Sequence, residues 1–300
     1  MTALALLAGR PAGAADARQL LESKESLYNN IFVYGQGDLV SMTFGYNRRI
    51  YTESVYNRRD DVDLPVSYTR FMTAGMIYAK NLGSVLEIGF GGGRTAWYLH
   101  RVLGGRPVTS VELDPAVVEL ARKYFGIRDE PGFAVVNQDG RMFLSQTKDR
   151  FDIILIDAYR GPFVPFHLLT REFYQLVKAH LAEGGVVVQN VEPSTMLFDS
   201  AVETMNAVFP HLDFYVADGN IVTVGYGGDA RDGDDLRHAA EQRQRELRPR
   251  YDLPSMLAMR RPFLPKTGMI DANAKVLTDD FAPVESLKGI EAHNRKWMDP

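Results

Sequence analysis

From Ser84 onward, short continuous apolar runs alternate with amphipathic stretches. SVLEIGF, VTSVELD, FAVVNQD, FDIILIDAY and GVVVQNV are predicted strands, expected to be buried on both faces because helical stretches separate them. Between them GGRTAWYLHRVLG, PAVVELARKYFG, GRMFLSQTK and LTREFYQLVKAHL carry apolar positions at helical spacing, with Pro115 at a first turn and Gly184-Gly185 as a stop. Strands alternating with helices predict an α/β fold with a doubly wound, mostly parallel sheet covered on both faces. LDFYVAD and NIVTVGYG, split by Gly219-Asn220, predict a closing antiparallel hairpin.

Upstream the period is two rather than 3.6. Ile31, Val33, Leu39, Met42, Phe44, Ile50 and Tyr51 alternate loosely with polar residues and are broken by Gly35-Gln36-Gly37-Asp38 and Gly45-Tyr46-Asn47, which predicts a small antiparallel β domain. SYTRFMTAGMIYAKN is predicted to be one helix delivering the chain to the main domain. The expected organisation is a free terminus over 1–20, a β domain over 21–64 and the large α/β domain over 65–300. Residues 1–16 read either as an export-signal remnant, through Ala12-Gly13-Ala14, or as a frayed end. The location expected is therefore cytoplasmic, or periplasmic with a signal, and no run is long enough to insert in a membrane. The charged stretch from Gly227 to Arg250 reads as a solvated helix in a surface insertion.

Composition narrows the chemistry. The 300 residues contain no cysteine, which excludes disulfides, thiolate metal sites and a cysteine nucleophile. A net charge of -4 argues against a chain built around nucleic acid. The six histidines show no metal-ligand spacing, so no metal is expected, and no G-x-S-x-G elbow is present.

In an open α/β sheet ligands sit beyond the carboxyl ends of the strands, so the residues ending each strand matter most. The first ends in Gly89-Phe90-Gly91-Gly92-Gly93-Arg94, a turn that brings backbone N–H groups to a ligand. The second ends in Glu112-Leu113-Asp114, the acid falling where a ribose is commonly held. The third ends in Gln138-Asp139-Gly140, suited to an adenine amino group, and the fourth at Asp157. Each acid taken alone could equally be a helix N-cap. The turn lacks the last glycine of a dinucleotide fingerprint, so adenosine with a sulfonium tail fits better.

VLEIGFGGGRT, VELDPAVVELARKYFG, QDGRMFL, FDIILIDAY and LLTREFYQLVKAHLAEGGVVVQNV together resemble the spermidine synthase (polyamine aminopropyltransferase) family, within the Rossmann-like class I methyltransferase fold. SLYNNIFVYGQGDLVSMTFG resembles that family's N-terminal β domain, SYTRFM the segment of its substrate-gating tyrosine (here Tyr68), and LTDDFAPVE a tail found in bacterial members. The resemblance implies that Gly89, Gly91 and Gly93 wrap the donor's tail, that Glu112 with Leu113 takes the ribose, and that Asp139 with Gly140 takes the adenine. It implies Asp157 as the general base and Tyr68 as a second catalytic residue. The donor would be S-adenosylmethionine or its decarboxylated form, leaving S-adenosylhomocysteine or methylthioadenosine. The acceptor would be a small amine or polyamine, and the assembly a homodimer.

Two departures bear on the substrate. The family's acid inside the glycine loop is replaced by Gly92, and the second acid after Asp157 by Arg160. Arg94 would suit a tail carboxylate. Glu53, standing for a glutamine, together with Asp279, Asp280 and Glu285 would restore negative charge if they face the pocket. Tyr159, Arg160 and Phe163 are expected at the acceptor end, with Phe166 as part of an apolar wall. Aminopropyl transfer, methyl or other alkyl transfer from S-adenosylmethionine, and a catalytically silent adenosyl-binding protein remain the three readings.

Overall fold

The computed structural model describes residues 17–46, 49–160, 163–195, 197–265 and 267–281. Among these, four strands form an antiparallel sheet in chain order: β1 (Gln19–Glu25), β2 (Asn30–Gln36), β3 (Leu39–Tyr46) and β4 (Arg49–Asn57). The pairing thus begins at Gln19, just inside the stretch expected to be a free terminus, while the candidate signal segment 1–16 lies outside the described residues. In the β3–β4 pair Met42 faces Ser54 and Thr43 faces Thr52, so Glu53 is the extra residue of a β-bulge. A bulge re-aims the side chains around it.

The helix predicted over residues 67–81 is interrupted: α1 covers Ser67–Met72 and α2 covers Gly75–Tyr78. The Thr73 hydroxyl bonds back to the Arg70 carbonyl at 2.6 Å, an arrangement that bends helices. Gly75 is pressed so closely on the main sheet that a Cβ there would lie 3.0 Å from Ile153 and Val188.

The main domain then proceeds through β5 (Val85–Ile88), α3 (Arg94–Val102), β6 (Val108–Glu112), α4 (Pro115–Tyr124), β7 (Phe133–Asn137), α5 (Gly140–Gln146), β8 (Phe151–Ile156), α6 (Arg171–Ala179), β9 (Leu181–Val191) and α7 (Phe198–Val208). β10 (His211–Ala217) and β11 (Asn220–Tyr226) form the expected hairpin. After them come α8 (Gly233–Leu247), α9 (Leu253–Ala258) and the two-residue β12 (Arg261–Pro262). The sheet order is β12-β10-β11-β9-β8-β5-β6-β7, with β9, β8, β5, β6 and β7 parallel. The order reverses between β5 and β8, and a crevice at such a point is where ligands bind.

Buried strand residues such as Val85, Ile153 and Val188 face one helical layer, and Leu86, Ile154 and Val187 face the other. Helix starts follow side-chain caps: Asp114 accepts from Ala116 N at the start of α4, and Thr170 from Phe173 N at the start of α6. The charged stretch expected as a surface insertion is docked rather than free. In α8 Leu236 and Ala240 are buried, Arg243 donates to the Lys80 carbonyl, and Arg231 ahead of it donates to that of Tyr78. Among the described residues no helix is long and apolar enough to cross a membrane.

Candidate active site

A cavity of about 710 Å³ opens at the reversal point, lined from the main sheet by the ends of β5, β6 and β8 and from the antiparallel sheet by Glu53, Ser54 and Val55. Gly89 ends β5 with φ +91, and a Cβ there would lie 2.3 Å from the Asp157 carbonyl. Only glycine fits, for conformation and for space.

Asp157 follows β8, and its carboxylate is held from two sides. Oδ2 accepts from the Tyr68 hydroxyl at 3.0 Å, and Oδ1 from Asn190 Nδ2 at 3.0 Å. Burial raises its pKa above the ordinary carboxylate range, while the Asn190 and Tyr68 bonds pull it back. Asn190 is itself oriented by Asn220, whose Nδ2 donates to Asn190 Oδ1 at 2.9 Å. The Tyr159 hydroxyl donates to the Asn190 carbonyl at 3.0 Å.

Glu112 lines the cavity with both oxygens oriented by backbone amides. Oε2 accepts from Phe90 N at 2.9 Å and Oε1 from Asp114 N at 2.9 Å. Oε2 also accepts from Gly91 N at 3.4 Å, so Oε1 is the oxygen that keeps a lone pair for a ligand hydroxyl. Burial raises its pKa, against the lowering effect of these amides. Asp139 is a helix N-cap on the cavity wall: Oδ1 caps α5 through Met142 N at 2.9 Å, while Oδ2 meets His167 Nε2 at 2.9 Å. The His167 bond, then the amide, holds this carboxyl below its ordinary range. Gly140 beside it packs on Ile88, and Leu113 is part of the cavity wall at 40% exposure.

Glu53 differs from every other acid here. Its Oε1 is buried with no hydrogen-bond partner among the described residues, and burial followed by the charges of Asp157, Glu192 and Glu112 pushes its pKa up to about 8. The adjacent Ser54 Oγ accepts from Gly92 N at 2.8 Å. A Cβ on Gly92 would lie 2.7 Å from Ser54 Cβ and 2.7 Å from Phe125. The place where the family's loop acid would stand is therefore filled from both sides.

Two expectations give way. Arg94 lines the cavity, but both terminal nitrogens of its guanidinium are engaged elsewhere: NH1 donates to the Phe125 carbonyl at 2.8 Å and NH2 to Asp61, with the Tyr56 ring at 4.4 Å, while the buried Nε has no hydrogen-bond partner among the described residues. These contacts rivet α3 to the loop after β4, leaving a ligand carboxylate without the fork that Arg94 was expected to offer. Asp280 is exposed and not among the lining residues, because the preceding Asp279 is held away by Arg141 at 2.8 and 2.5 Å and by Thr170. Glu285 lies outside the described residues. Gly91, Gly93, Arg160, Phe163 and Phe166 fall on or beside the cavity, with Gly93 capping α3 and Arg160 on the exposed rim.

Three contributors escaped the sequence reading. Asn190 ends the next parallel strand beside Asp157, a position the strand-end rule reaches when applied once more. His167 and Ser54 carry no such signal, since their loop and bulge bring them in only through tertiary packing.

Residues 67–222 match the Spermine/spermidine synthase domain. The polyamine aminopropyltransferase of Vibrio vulnificus is 28% identical over 283 residues, spanning 90% of this chain and 91% of that one. The crystal structure of a probable spermidine synthase from Corynebacterium glutamicum superposes with a TM-score of 0.67 at 21% identity, over 87% of this chain and 97% of that one. Human methyltransferase-like protein 13, crystallised with SAH, shares the fold at a TM-score of 0.55 and 21% identity, over 68% of this chain and 97% of that one. With its matched domain running from α1 to β11 through every strand end that lines the cavity, the chain belongs to the spermine/spermidine synthase family.

Proposed function

We propose that the chain transfers an aminopropyl group from decarboxylated S-adenosylmethionine to a small amine, with Asp157 as general base. The observation that carries this reading is the buried Asp157 carboxylate, held by Tyr68 and Asn190 at the mouth of the reversal-point crevice. Glu112 and Asp139 would hold the ribose and adenine, and the amides of the Gly89–Gly93 turn would line the tail.

The donor's sulfonium supplies an electrophilic methylene, whose bond to sulfur breaks as the amine nitrogen bonds to it, leaving a thioether. An amine reaches the site as a cation and attacks only when neutral. Asp157 serves both needs: its charge attracts the cation, and its raised pKa makes it a better acceptor for the proton the nitrogen gives up. Tyr68 and Asn190 keep the carboxylate pointed while that proton moves. Arg160 on the exposed rim disfavours a long polycation by like-charge repulsion, so an acceptor with one cationic end fits better.

The test is Asp157→Asn, assayed for product and titrated with methylthioadenosine. Turnover should fall by roughly 10²–10⁴ with affinity retained. Undiminished turnover would overturn the assignment of the base. Wild-type binding without turnover against a panel of amines would favour the silent adenosyl-binding reading.

A further inference from the structure

The β4 bulge gives this chain an acid that the cavity does not otherwise explain. Residues adjacent on a regular strand point to opposite faces, yet Glu53, Ser54 and Val55 all line the same cavity, because Glu53 is the extra residue of the bulge. Ser54 is accounted for by the Gly92 amide, and Val55 is an apolar part of the cavity wall. Glu53 is not: among the described residues one carboxyl oxygen is buried with nothing to accept from, and the charges acting on it most strongly are the acids Asp157, Glu192 and Glu112. Of the two arginines that line the cavity, Arg94 is bound to Asp61 and the Phe125 carbonyl and Arg160 lies on the exposed rim. A buried acceptor among like charges is costly unless a ligand satisfies it, and the ligand that does so is a cation with N–H donors.

The glycine loop cannot take this part, since any side chain at Gly92 would run into Ser54 and Phe125. We propose that Glu53 is the residue that binds the primary ammonium at the end of the donor's three-carbon arm, and so selects a decarboxylated donor over one that carries a tail carboxylate. Asp157 and Glu192 stand behind it: their charges favour an ammonium and oppose a carboxylate at the same spot. In the empty pocket Glu53 keeps a proton near neutral pH, and the arriving ammonium takes that proton's place. The identity of the arm rests on the aminopropyl-transfer reading above.

Calorimetric titration of the full chain and its Glu53→Gln variant with decarboxylated S-adenosylmethionine, S-adenosylmethionine and methylthioadenosine tests this. The last lacks the ammonium and reports on the rest of the pocket. Glu53→Gln should weaken the decarboxylated donor by roughly ten- to a hundredfold, the value of a charge-assisted bond to a buried group. Methylthioadenosine should be unaffected, the preference over S-adenosylmethionine should narrow, and Glu53→Asp should restore part of the loss. Equal binding of the decarboxylated donor by wild type and Glu53→Gln overturns the proposal, as does an equal loss for methylthioadenosine. Product formation by the wild type is scored separately. Turnover with Glu53-independent donor binding defeats this proposal alone; Glu53-dependent binding with no turnover defeats the transferase reading and leaves the ammonium site standing.

Discussion

Asn190 donates to Asp157 across two neighbouring parallel strands, with Nδ2 and Oδ1 3.0 Å apart. Because Asn220 fixes the other end of the same amide, the pair forms a short relay from the closing hairpin to the carboxylate. Such a bond stabilises the ionised form of a buried acid. Asn190→Ala should therefore raise the pKa of Asp157, moving the acid limb of the pH–rate profile to higher pH and lowering turnover near neutrality about tenfold. Methylthioadenosine affinity serves as the control, and an unmoved acid limb would show that Asn190 does not tune the base.

Glu53 makes a second prediction, about stability rather than binding. Its pKa is about 8 in the folded chain, against an ordinary 4.5 when unfolded. Below the lower value both states hold the proton and burial of this group costs little. As pH rises toward 8 the unfolded chain releases the proton first, so folding loses stability progressively, and above 8 the loss is complete. Glu53→Gln should thus match wild type near pH 4.5 and gain on it by on the order of 2–3 kcal/mol at pH 8 and above, with partial exposure discounted. Thermal melts across this range check it; a constant difference at every pH would refute the assignment.

The sealed glycine position gives a third. Restoring an acid by Gly92→Asp should not restore a tail site, since its Cβ meets Ser54 and Phe125 at 2.7 Å. The expected result is a loss of about 1–3 kcal/mol from overpacking, shared by Gly92→Ala. Shortening the neighbour in Gly92→Ala/Ser54→Gly should recover much of it, measured by denaturant unfolding.

Periodicity and strand ends carried the sequence reading a long way. The continuous apolar runs and the four polar strand ends predicted the sheet and brought Gly89, Glu112, Asp139 and Asp157 to one cavity, because position along a parallel strand translates directly into position in space. Direction is harder to read. Arg94 has the right charge and the right neighbours in sequence, yet its long side chain turns to Asp61 and Phe125, a choice made by partners far along the chain. Asp280 went the other way for a similar reason, with Arg141 anchoring the residue before it. The break between α1 and α2 reflects how closely Gly75 lies on the sheet, a packing demand that helical periodicity does not register. A one-residue bulge is equally invisible to an alternating pattern, and Glu53 owes its place to it.

That bulge separates two tasks along the chain. The adenosyl grip proposed above lies on the strand ends of the parallel sheet, whereas the acid proposed to read the donor's tail arrives on the edge strand of a different sheet, more than thirty residues earlier. The two stretches meet through the Ser54–Gly92 bond, through Ser26 and Asn29 on Asp114 and through a common apolar core rather than through shared strands. An exchange of the small N-terminal sheet would accordingly alter both tasks at once, because Ser26 and Asn29 of that unit hold Asp114 in the wall of the same cavity.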